Sequence, residues 1–131
     1  MSTYQEIRRA VERAIERSHS AADPAWVRDF TFAIHVACLE NHAIIIDDVW
    51  AVFERLGFES RTQNRMAAGA LMRHAACAGW MTRCETQDPW TPSRRNHNWT
   101  GLTQWRSLIY DAGFDATDLR RAGQQELDLG A

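Results

Sequence analysis

Between Thr3 and Ser18, Tyr4, Ile7, Val11, Ala14 and Ile15 recur at helical spacing while Arg8, Arg9, Glu12, Arg13, Glu16 and Arg17 cover the remaining positions, which predicts a surface helix with a narrow apolar stripe. His19 to Ala22 reads as a loop. Asp23 followed by Pro24 then supplies an N-cap and a favoured first-turn residue for a second helix reaching about Glu40. Its apolar set, Val27, Phe30, Ile34, Ala37 and Cys38 widened by Phe32, Val36 and Leu39, predicts a largely buried helix.

Ile44, Ile45 and Ile46 form a β-branched run suited to a short strand, with Asp47 placed to cap the helix that follows. That helix carries Val49, Trp50, Val52, Phe53 and Leu56 on a broad apolar face and stops at Gly57. Ser60 with Gln63 has the form of a capping box, opening a helix that runs through Ala78 to a stop at Gly79. Centring its inner face on Met72 gathers Ala68, Leu71, Ala75 and Ala76 there. It leaves Gln63, Met66, Ala70, Arg73, His74 and Cys77 outside. Trp80 to Thr86 alternates as a strand, Asp88 to Asn96 is punctuated as a loop, and Trp99 to Trp105 can return as a second strand. The order helix, strand, helix, helix, strand, loop, strand predicts a mainly α fold with a small antiparallel β wing: a winged helix-turn-helix at 23–110, preceded by an N-terminal helical extension at 1–22 and followed by an acidic tail at 111–131.

Composition changes this picture little. The 131 residues are enough for one core, and no apolar run approaches the roughly 20 residues of a membrane span. Met1 to Arg17 lacks the pattern of a secretion signal, and Cys38, Cys77 and Cys84 do not form a disulfide framework, so a reducing cytoplasm is expected. Charge is more informative. The net value is −2, and every cation other than histidine is Arg. Residues 1–57 carry six Arg against nine acids, 58–110 seven Arg against three, and 111–131 two Arg against five. A basic centre between two acidic ends suits a phosphate-bearing partner.

The stretches DDVW (Asp47 to Trp50), GALMRHAACAGWM (Gly69 to Met81), SRRNH (Ser93 to His97) and WRS (Trp105 to Ser107) resemble the small winged-helix DNA-binding proteins encoded by bacteriophages of actinobacteria. The resemblance covers about Asp47 to Leu108. It departs at His74 and Cys77, where such proteins often have Arg, and at Ile44 to Ile46, where a Phe-Thr approach is more usual. It implies a non-catalytic protein that binds double-stranded DNA in the cytoplasm of a bacterial host, in transcription regulation or DNA metabolism.

On that reading Gln63, Asn64, Met66 and Arg73 are the candidates for base edges in the major groove, with Arg61 and Arg65 at the helix start positioned for phosphate. Arg94, Arg95 and His97 at the wing tip are the candidates for the DNA backbone or minor groove. Trp50, Trp80 and Trp105 are expected in the core, whereas Trp90 and Trp99 either pack the wing or meet a partner. His74, Cys77 and Cys84 define no zinc spacing and need a fourth ligand such as His35 or His97, so no metal and no cofactor are expected. No nucleophile elbow or phosphate loop is present, and Asp47 with Asp48 reads as helix capping, so no enzyme is expected.

The alternative is a phage interaction module on the same fold, using the N-terminal helices to dimerise or to bind a host protein. Its tail, Gln125, Glu126, Leu127, Asp128 and Leu129, resembles the peptide by which bacterial proteins bind the replication sliding clamp, with Gly130 in place of the aromatic anchor. Gln125, Leu127, Asp128 and Leu129 are the residues it would present to the clamp. Absence of the aromatic removes the largest apolar contribution of such a peptide.

Overall fold

The longest of the described helices lies at the centre of the described core. In the computed structural model, which describes residues 3–16, 24–58, 65–84, 104–116 and 119, and for Arg65 and Met66 the backbone alone, four helices accompany a small three-stranded antiparallel sheet. They run in the order α1 (Tyr4–Glu16), α2 (Pro24–Glu40), β1 (Ala43–Ile44), α3 (Ile46–Arg55), α4 (Arg65–Cys77), β2 (Met81–Arg83) and β3 (Trp105–Ser107). None of the described helices is long and apolar enough to cross a membrane.

Trp26, Val27 and every residue from Phe30 to Leu39 are buried, because α2 is packed by α1, α3 and α4. The aromatic rings are concentrated between α2 and α3. Phe30 lies 5.0 Å from Trp26, 4.8 Å from Trp50 and 6.1 Å from Phe53, all within the range of favourable ring packing. The apolar stripe of α1, with Ile7, Val11 and Ala14 buried, is covered by the chain's own α2, and Leu119 joins the same core. One hydrophobic core therefore draws on residues from both sides of the segment 23–110.

Local chemistry sets the ends of the helices. Thr3 and Glu6 form a reciprocal capping box on α1: Thr3 Oγ1 accepts from Glu6 N–H at 3.2 Å, and the Glu6 carboxylate accepts from Thr3 N–H at 3.4 Å. At α3 the cap comes from Asp48, whose carboxylate accepts from Ile45 N–H at 2.9 Å. This capture ends the strand early. Ile45 becomes the flanking residue and Ile46 the first helical one, while Asp47, expected as the cap, is buried in the first turn.

Gly57 and Gly79, at φ 80° and 87°, terminate α3 and α4 in the left-handed conformation. Past Gly57, Phe58 N–H reaches back to the Phe53 carbonyl at 3.2 Å and Gly57 N–H to Glu54 at 3.0 Å. Past Gly79, Trp80 N–H reaches Ala75 at 3.2 Å and Gly79 N–H reaches Ala76 at 3.0 Å. Both are Schellman motifs, and both turn an aromatic residue back onto its helix.

Strand order in the sheet is β1-β3-β2, so the last strand lies in the middle. Ile44 pairs with Trp105 and Ala43 with Arg106, while Met81, Thr82 and Arg83 pair with Ser107, Arg106 and Trp105. Alternation puts Ile44, Met81 and Ser107 on the inner face with Trp105, and Ala43, Thr82 and Arg106 on the outer face. The returning strand begins at Trp105, where the sequence alternation predicts its end, and Trp105 is only half-buried.

Candidate nucleic-acid interface

Helix α4 is the element on which the sequence places most of the base-reading candidates. Ala68, Leu71, Met72 and Ala75 are buried against the core. The centre of this face falls at Ala68 and Ala75, between Leu71 and Met72, so the helix is rotated from a register centred on Met72, and Ala76 is only half-buried. The rotation also moves His74. It lies with Leu71 and Ala75 beside Ala14, Ile15 and Thr31, in a crevice between α1, α2 and α4 packed too closely to admit a ligand. The outward side of α4 therefore carries Arg73 and Cys77, both exposed, flanked by Gly69 and Ala70.

Three guanidinium groups are carried by consecutive elements: Arg73 on α4, Arg83 at the end of β2, and Arg106 on the outer face of β3. All three residues are exposed, and none of these guanidiniums pairs with another described residue. No Asp or Glu occurs among the described residues of 65–84 and 104–110. The helical part differs. Residues 3–16 and 24–58 hold eight carboxylates against five Arg, with Arg8 paired to Glu12 at 3.4 Å and Arg55 paired to Glu40 across α2 and α3. Positive charge in the α4 and sheet half is thus left uncompensated by its own elements.

Of the candidates named from sequence, Arg73 is the one whose side chain the structure describes. Arg65 and Met66 lie in the first turn of α4 as backbone. Arg61, Gln63, Asn64, Arg94, Arg95, His97, Trp90, Trp99 and the tail residues Gln125, Leu127, Asp128 and Leu129 lie outside the described residues, as does Ser60 of the expected capping box. Arg83 and Arg106 are not among the sequence candidates: Arg106 follows the strand alternation to the outer face, whereas Arg83 shares the register of Met81 and Trp105 and is exposed at the end of β2.

The histidines and cysteines are dispersed. Among the described residues no group of three His, Cys, Asp or Glu converges on one point. His35 is buried on α2 with its ring edge-on to Trp80 at 4.6 Å, and its Nδ1 has no partner among the described residues. Burial there pushes its pKa down to about 4, because the charged imidazolium loses its hydration. Cys38 is buried too, its thiol donating to Met81 Sδ at 4.0 Å, and burial pushes its pKa up to about 12. Such a thiol is unreactive.

Comparison with protein-family models, with curated proteins and with solved structures finds no match for this chain.

Proposed function

We propose that this chain is a winged helix-turn-helix DNA-binding protein of the bacteriophage type it resembles, with α4 entering the major groove and the connection between β2 and β3 forming the wing. The observation that carries the reading is the division of charge between the two halves: Arg65, Arg73, Arg83 and Arg106 with no carboxylate among the described residues of α4 and the two strands after it. Phosphate is the partner chemistry that such a surface suits, because each guanidinium gains charge-assisted hydrogen bonds and releases condensed counterions. The architecture adds support. The element order α2, β1, α3, α4, β2, β3 and a sheet that returns its last strand between the first two are compatible with a helix pair followed by a wing.

A second reading has its own observation. Leu108 and Tyr110 are exposed just after β3, with the Tyr110 ring set against His42 at 3.6 Å, and such a surface suits a host protein instead. Binding to a short DNA duplex, followed by fluorescence anisotropy across a salt series, separates the two. The DNA reading predicts binding at low salt that weakens steeply as salt rises, and a flatter slope when Arg94 and Arg95 are replaced together. Absence of duplex binding at low salt, with a host protein retained after nuclease treatment, overturns it.

A further inference from the structure

Gly69 sits in the middle of α4, where a glycine lowers helix stability relative to alanine. Nothing among the described residues accounts for it. Its φ is not among the positive values, unlike Gly57 and Gly79, so the backbone does not require glycine. A Cβ built there meets no heavy atom nearer than Arg73 Nη1, at 4.0 Å, so packing does not require it either. That one neighbour is informative: the Arg73 side chain runs back along the helix until its guanidinium lies over Gly69, the direction helical side chains favour. Arg73 is exposed and its guanidinium has no partner among the described residues.

We propose that Gly69 and Arg73 form one close-approach point on α4, at which the groove edge meets the helix beside Gly69 and the Arg73 guanidinium reads a guanine. The inference rests on the DNA-binding reading above and adds the residue pair and the base. A guanidinium fork matches the O6 and N7 acceptors of guanine in the major groove, and a lysine ammonium at the same place lacks the fork. The match requires the helix to approach closely. A long side chain at position 69 occupies the space into which the guanidinium now folds and holds the helix away from the base edges.

A pool of short DNA duplexes with a randomised centre, selected on the full-length protein and sequenced, tests both residues. The wild type is expected to enrich one guanine position. Arg73→Lys is expected to lose that enrichment, with about tenfold weaker binding to the selected duplex. Gly69→Leu is expected to melt at the same or a higher temperature and to bind the selected duplex about tenfold less tightly. Unchanged guanine enrichment by Arg73→Lys, or wild-type affinity in a folded Gly69→Leu, overturns the proposal while leaving DNA binding intact. Failure of the wild type to bind any duplex at low salt overturns both and locates the error in the DNA-binding reading.

Discussion

The α1, α2 and α3 part of the molecule and the α4, β2 and β3 part differ in what their side chains do. In the first, Trp26, Phe30, Trp50 and Phe53 bring large rings together, and surface charges of both signs are interspersed. In the second, Ala68, Leu71, Met72 and Ala75 give α4 a buried face without rings, Trp80 and Met81 extend it, and the exposed charges have one sign. Stability therefore resides mainly in the first part. The second is held by that smaller buried face, by backbone pairing and by a Schellman turn, and directs uncompensated positive charge outward.

The comparison breaks most readily at Phe30, which touches three other aromatic rings. Phe30→Ala is expected to lose about 3–5 kcal/mol of stability in urea unfolding. A loss of the size seen at an exposed site contradicts the assignment of stability to this part.

His35 joins the two parts through Trp80 and is next in size. Its pKa in the folded protein is about 4, below the ordinary 6.5, so between those values the unfolded chain binds a proton that the folded chain excludes. Stability is full above pH 6.5 and falls as pH drops toward 4, by about 3 kcal/mol from this group. Urea unfolding at several pH values checks it, with His35→Phe expected to lose that share of the pH dependence. An identical pH profile in the variant contradicts it.

Gly79 tests how the second part is held. Gly79→Ala forces a Cβ into the left-handed conformation at φ 87° and is expected to cost about 1–2 kcal/mol. Gly69→Ala, by contrast, is expected to stabilise α4 by up to about 1 kcal/mol. Thermal melting of the two variants gives shifts of opposite sign.

Much of the helical part is legible in the sequence because its signals are local. Asp23-Pro24 marks the start of α2, and Gly57 and Gly79 mark the ends of α3 and α4. The Thr3-to-Glu6 capping box is equally local, since the two residues stand three apart at the start of the apolar stripe. The strands are less legible. Ile44 to Ile46 all have strand propensity, and only the Asp48 hydrogen bond to Ile45 decides that Ile46 belongs to the helix. The rotation of α4 is likewise a tertiary property: alanines at 68, 75 and 76 fit a core equally well by type, and packing against α2 selects two of them. At the candidate interface Arg73 is readable from periodicity, while Arg83 and Arg106 need the strand register, which pairs β3 with both neighbours.

The most direct test of the central claim is the salt dependence of duplex binding in two matched triple variants. Arg73, Arg83 and Arg106 replaced by Ala should weaken binding and lower the slope of log affinity against log salt by about 0.9 for each phosphate no longer neutralised. Arg9, Arg13 and Arg28, exposed on α1 and α2, replaced in the same way should leave affinity and slope close to those of the wild type. Equal weakening in the two variants, or weakening confined to the second, would contradict the assignment of the DNA-facing surface to α4 and the sheet.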